Sequence, residues 1–229
     1  MKKLFFFFLL LPFTFVSCGG DDDSDDPLYE MGRIVLKNGS VSVNSDAKGY
    51  KIEARSKYAM SYRSENEFVI AVDSSGVITP VTVGDANVVI TSEKDSVRLK
   101  VTVNPVATLY PDPYLNWGAS RSDVIKNIGK PTVEQSDALV YYTELKGVRN
   151  FTYFFLDGAL SNVIIAVEKA YISNLNKHLG ERYRLFDKNE EAGTFFYGNA
   201  FRQEDATLNV NIFTGGSDAI LVNYLPAEN

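Results

Sequence analysis

The chain holds one cysteine, one histidine and one tryptophan in 229 residues, and these scarcities narrow its chemistry before any motif is read. With Cys18 alone there is no partner for an internal disulfide, so each folded part must stand on its own hydrophobic core. His178 has no second histidine with which to share a metal, and nothing in the sequence supplies it with a nucleophile and an orienting partner; it reads as a surface or partly packed helix residue. Basic residues are the minority, 23 against 29 acidic, and the formal charge of -6 argues against nucleic acid as a partner. There is no phosphate loop and no zinc motif, and no feature draws two of Glu181, Asp187, Glu190 and Glu191 around a cleft as glycoside hydrolysis requires. These absences predict a protein that is not an enzyme and carries neither cofactor nor metal.

Long apolar runs are missing too. The longest, Leu4 to Val16, is interrupted by Pro12 and Thr14 and falls short of the roughly 20 residues that a bilayer-crossing helix needs. Two lysines precede it and Ser17-Cys18 ends it, a pattern that predicts a signal peptide over residues 1–17. The segment resembles the lipobox of bacterial lipoproteins, with Phe15 where Leu, Ile or Val is usual. That resemblance implies a lipid on Cys18 as the first mature residue. Gly19-Gly20-Asp21-Asp22-Asp23 resembles the acidic export signal of Bacteroidetes surface lipoproteins, which implies an outer membrane anchor and display at the cell surface. Loss of Lys2 and Lys3 with the signal takes the formal charge to about -8, from 21 basic and 29 acidic groups. Residues 18–30 read as a self-repelling acidic tether.

About 200 residues remain, enough for two modest domains. From Ile34 to Asn104 apolar residues recur with period two in short bursts, separated by Asn38-Gly39, Ser75-Gly76 and Gly84-Asp85, and no helical period competes. A sandwich of short strands follows, bounded at 31–104. The run from Ser64 to Thr91, with Val69, Ala71-Val72-Asp73, Gly76, Thr79, Val81, Gly84, Ala86 and Ile90 in order, resembles the bacterial immunoglobulin-like domain of group 2, in which such units serve as stalks and spacers. Tyr62 stands about where many members have Trp. Asp73 reads as the cap of the Ser74-Ser75-Gly76 turn. Asp95-Ser96-Val97 resembles the short O-glycosylation motif of Bacteroidetes, which makes Ser96 a candidate acceptor.

Pro105, Pro111 and Pro113 mark a short, semi-rigid linker at 105–111. Residues 112–229 then alternate helix and strand signals. Ser120 caps a helix with Asp123 at its third position, Gly129 and Pro131 stop it, and strands follow with Asp157-Gly158 as a hairpin turn. Tyr171, Leu175, His178 and Leu179 have helical spacing, and four more strands follow, with Gly215-Gly216 as the last turn. Phe151 to Val167 and Asn209 to Leu225 align at an offset of 58, so the unit reads as an α+β domain of two helix-plus-antiparallel-meander repeats. The layout, with Trp117-Gly118 before the helix and Gly129-Lys130-Pro131 after it, resembles the tandem units of β-lactamase inhibitory proteins and of BamE-type lipoproteins. In the inhibitor family one sheet face binds a protein.

Alternation places Tyr142, Tyr153, Phe155, Phe196, Asn209 and Asn211 among residues that line a sheet face. Trp117, with Tyr110 and Tyr114 nearby, is the candidate sugar-stacking or partner-binding cluster. The expected function is a non-catalytic envelope lipoprotein whose Ig-like spacer presents a protein-binding α+β module; the alternative is surface glycan binding or adhesion. The expected partners are the membrane, through the lipid on Cys18, and an envelope or extracellular protein or a glycan.

Overall fold

The computed structural model describes residues 26–215 and 218–227. The signal peptide, Cys18, the aspartates through Asp25 and Gly216 of the last turn lie outside the described residues. The last residues of the expected tether, 26–30, are described. Pro27–Glu30 form one helical turn, α1, because Asp26 accepts the Leu28 N–H at 2.8 Å and Pro27 presets the first helical dihedral. Glu30 then ion-pairs with Lys57 at 2.6 Å, which docks this turn on the unit that follows.

That unit is a β sandwich. Its strands are β1 (Val35–Leu36), β2 (Ser40–Asn44), β3 (Tyr50–Lys51), β4 (Ala54–Arg55), β5 (Ser61–Ser64), β6 (Ile70–Val72), β7 (Val77–Pro80), β8 (Gly84–Thr91) and β9 (Ser96–Asn104). One sheet runs β2-β9-β8-β5 and the facing one β3-β7-β6, with β1 and β4 paired apart. Val41, Val43, Val88, Ile90, Leu99 and Val101 from the first sheet meet Ile70 and Ile78 from the second in one buried cluster. Period-two burial along β8 and β9 matches the alternation in the sequence. The alternating residues Tyr50, Ile52 and Ala54 are divided between two strands: β3 joins β7 while β4 turns away to β1, and buried Ile52 sits at the switch. Asp73 is the expected cap, its Oδ1 accepting from the backbone N–H of Ser75 and of Val77 and from the Ser75 hydroxyl. Those bonds hold its carboxyl below the usual range.

The second unit contains α2 (Arg121–Ile128), β10 (Val133–Glu134), β11 (Ala138–Tyr142), β12 (Val148–Leu156), β13 (Ala159–Glu168), α3 (Ile172–Gly180), β14 (Arg184–Asn189), β15 (Thr194–Gly198), β16 (Leu208–Phe213) and β17 (Ala219–Pro226). All eight strands form one antiparallel sheet in the order β10-β11-β12-β13-β17-β16-β15-β14, so each repeat contributes four strands and the last strands of the two repeats pair. Ser120 and Asp123 make the expected capping box. The repeat register differs by one residue from the sequence alignment. Phe151 opposite Ile165 in the first repeat corresponds to Val210 opposite Tyr224 in the second, an offset of 59 in both strands. All four side chains are buried on one face. An offset of 58 would turn one repeat inside out, because a one-residue slip exchanges the faces of a strand.

The units meet at the end of α3. Glu181 accepts the backbone N–H groups of Val106 and Ala107 on its carboxylate, both at 3.0 Å to Oε2, and the Val83 N–H of the sandwich on its carbonyl at 2.7 Å. Arg182, itself buried, donates to Asp112 and to the carbonyls of Ala107 and His178. Phe68 of the sandwich packs edge-on against Phe201 at 5.4 Å between centroids. Two consecutive side chains thus clasp the proline-flanked linker.

Candidate functional site

The two faces of the eight-stranded sheet have opposite fates. Phe151, Tyr153, Phe155, Val163, Ile165, Val210, Ile212, Val222 and Tyr224 point to the side of α2 and α3 and join Val124, Leu175 and Leu179 in the main core. Tyr153 and Phe155, expected on a binding face, are therefore core residues. Phe155 lies beneath the Arg121 guanidinium, 5.1 Å from its ring centroid. Burial pushes the Tyr153 hydroxyl up to about 12.

No helix among the described residues covers the outward positions. Following the pairing register, the middle row runs Val140, Thr152, Ile164, Asn223, Asn211, Phe196 across β11, β12, β13, β17, β16 and β15. On one side of it stand Ala138, Phe154 and Asn162, with Leu225, Asn209 and Gly198 on the far strands. On the other side stand Tyr142, Asn150, Ala166, Leu221, Phe213 and Thr194. None of these side chains on β11 to β13 and β15 to β17 is charged; charge enters only at the edge strand β14, where Asp187 pairs with Phe196 and Arg184 with Gly198. Tyr142 is 61% exposed and Phe213 38%, while Phe154, Phe196 and the asparagines are half-buried. Asn162 Nδ2 donates to Asn223 Oδ1 at 3.0 Å across β13 and β17. Asn209 and Asn211 make no side-chain hydrogen bond among the described residues. An amide offers both donors and an acceptor, so these groups present unmet hydrogen-bonding capacity to whatever covers the face.

Of the expected sheet-face residues, Tyr142, Phe196, Asn209 and Asn211 do share this surface. Phe154, Asn162, Phe213 and Asn223 belong with them and went unrecognised in the sequence. The signal was present in the alternation: once Tyr153 and Ile212 are inward, their neighbours must face out.

The Trp117 cluster is taken apart. Tyr110 is 1% exposed, its hydroxyl 3.0 Å from that of Tyr224, and it cannot serve as a platform. Trp117 packs half-buried against the core. Tyr114 instead lines a cleft of about 510 Å³ with Tyr141, Tyr153, Asp112, Asn127 and Ile128, between the linker and the C-terminal end of α2. His178, expected at or near the surface, is fully buried beside Tyr110, and its Nε2 has no hydrogen-bond partner among the described residues. Ser96 is exposed at the start of β9, while the neighbouring Asp95 carboxylate is engaged by the Ile34 N–H and by Arg33. Among the described residues no group of three or more His, Cys, Asp or Glu could hold a metal, and no helix is long and apolar enough to cross a membrane.

The architecture is that of a two-unit protein, a β sandwich followed by an α+β domain of two helix-plus-meander repeats. No protein-family model and no curated protein matches the chain. Among solved structures it is similar to a mutant of EHEC intimin, at 20% identity over 53% of this chain and 79% of that one, with a TM-score of 0.25. Domains 5–6 of the S-layer protein SbsC align at 12% identity over 85% of this chain and 83% of theirs, with a TM-score of 0.26. A SusE-like surface located polysaccharide binding protein from the Bacteroides thetaiotaomicron heparin utilisation locus aligns at 13% identity over 85% of this chain and 33% of that one, with a TM-score of 0.23. Likeness at this level fixes neither family nor ligand.

Proposed function

We propose that the chain is a non-catalytic, lipid-anchored surface protein whose sandwich holds the α+β unit in place and whose open sheet face binds carbohydrate. The lipid on Cys18 and outer membrane display rest on the N-terminal sequence pattern. One observation carries the carbohydrate reading: a face, uncharged except along its edge strand β14, on which Asn162, Asn209, Asn211 and Asn223 lie together between phenyl rings. Sugar hydroxyls donate and accept, as amides do, and rings supply apolar contact for the sugar's C–H faces.

A protein partner is the second reading, favoured by an aromatic-bearing surface whose charges lie only at its β14 edge, the composition of an interface centre with a charged rim. The two part in one comparison. The full chain in detergent is applied to a glycan array and, separately, used to capture partners from outer membranes, alongside a variant carrying Asn211→Leu and Asn223→Leu. Glycan binding that the variant loses supports the first reading. Capture of one protein that the variant loses, with a blank array, replaces it with the second.

A further inference from the structure

We infer, on the basis of the carbohydrate reading, that the ligand is a neutral, extended glycan lying across the strands, along the line Phe154, Asn162, Asn223, Asn211, Phe196, which steps from the side row to the middle row between Asn162 and Asn223. The amides of Asn162, Asn223 and Asn211 follow one another across three strands, Asn162 bonded diagonally to Asn223 and Asn223 paired with Asn211; only on β16 do two amides, Asn209 and Asn211, lie along one strand. On β13, Asn162 is followed outward by Ile164 and Ala166; on β17, Asn223 is flanked by Leu221 and Leu225. A chain running along either strand meets one amide and then aliphatic side chains. A chain crossing the strands meets three amides in succession on β13, β17 and β16, with a phenyl ring at each end on β12 and β15. Adjacent strands are about 4.8 Å apart, so the row is about 19 Å long, the scale of a short linear oligosaccharide.

Neutrality follows from what the face lacks. Along that line an acidic sugar finds no lysine or arginine and meets the Asp187 carboxylate beside Phe196, while Arg184 stands off the line opposite Gly198; a carboxylate taken out of water without a cationic partner is strongly disfavoured. The net charge of -6 adds long-range repulsion. Uncharged hydroxyls incur no such penalty, and the unpartnered amide of Asn211 is there to bond them.

The test is calorimetric titration of the full chain with linear gluco-, manno- and xylo-oligosaccharides, and with oligogalacturonate as the acidic probe. A neutral oligomer should bind and oligogalacturonate should not. Asn211→Leu, and separately Asn211→Ser in case leucine perturbs the strand, should weaken binding about tenfold, the worth of a lost ligand hydrogen bond. Tyr142→Ala, at the far corner of the outer row, should change affinity less than about twofold on the same scale. Equal or tighter binding of oligogalacturonate, or a Tyr142→Ala loss as large as that of Asn211→Leu, overturns the neutral, strand-crossing ligand and leaves the carbohydrate reading standing. Absence of binding to every oligosaccharide overturns both.

Discussion

His178 Nδ1 accepts the backbone N–H of Leu109 at 3.3 Å, so the sole histidine of the chain ties the linker to α3. To accept, that nitrogen must be unprotonated. Burial, helped by the Arg182 guanidinium, holds His178 down to about 4 against an ordinary value of 6.5.

The unfolded chain therefore binds a proton on His178 between pH 6.5 and 4 that the folded chain does not, and stability falls as pH falls through this window. The loss at the lower end is about 3 kcal/mol. Carboxylates held low by their bonds, such as Asp73, Asp95 and Asp123, lose their contribution only at lower pH, as they protonate in the folded state. Urea melts at pH 7, 6, 5 and 4.5 should show the decline in wild type and a much flatter profile in His178→Gln. An equally steep profile in the variant would assign the decline to other groups.

Replacing Glu181 by Ala removes the acceptor for Val106 and Ala107 while leaving its carbonyl bond to Val83. Because water reaches the freed amides, the expected cost is modest, about 1 to 2 kcal/mol. The more telling readout is small-angle scattering, where the variant should show a broader distribution of long distances between the two units. Unchanged scattering would place the rigidity of the joint in Arg182 and the Phe68 to Phe201 contact instead.

Tyr224 is bonded through its buried hydroxyl to that of Tyr110 at 3.0 Å, with the Tyr183 ring edge-on at 6.0 Å between centroids. Tyr224→Phe and Tyr110→Phe each strand one buried hydroxyl, at about 1 to 3 kcal/mol for the group left unpaired. Chemical denaturation should show a loss of this size for either variant. The double variant should cost less than the sum, since partners removed together leave less unsatisfied.

Gly76 has φ of +80° and a Cβ there would lie 2.7 Å from the Tyr62 ring, whereas Gly118 has φ of +79° and open space around it. Alanine at Gly118 should cost about 1 kcal/mol, the conformational penalty alone. At Gly76 the same substitution should cost clearly more, about 2 to 4 kcal/mol, because the ring must also move. Equal losses in thermal melts would mean that Tyr62 yields freely.

Local signals were legible wherever a side chain acts on its own neighbourhood. Asp73 with its turn, the Ser120 and Asp123 capping box, and the Asp157-Gly158 hairpin, with φ of 52° and 81°, follow directly from residue chemistry. What alternation leaves open is sign: it separates Tyr142 and Phe196 from Tyr153 and Phe155 only when one knows where α2 and α3 land. The one-residue error in the repeat offset has the same root, since offsets of 58 and 59 differ in which face each strand shows and alternation alone fits both. His178 and Tyr110 were misplaced because their burial depends on the linker folding back over α3, a contact between residues about 70 apart in sequence that no local pattern encodes.

The pairing of β2 with β9 decides how the sandwich meets a mechanical load. These strands are parallel, Ser40 opposite Lys100 through Asn44 opposite Asn104, and the chain enters at one end of the pair and leaves for the linker at the other. A pull between the N-terminal side and the α+β unit draws β2 and β9 in opposite directions along their length. The backbone bonds between them then share the strain in shear instead of opening one by one as a zipper would. A unit so wired resists traction along the line that joins its two attachment points, and would be far weaker if peeled from the side.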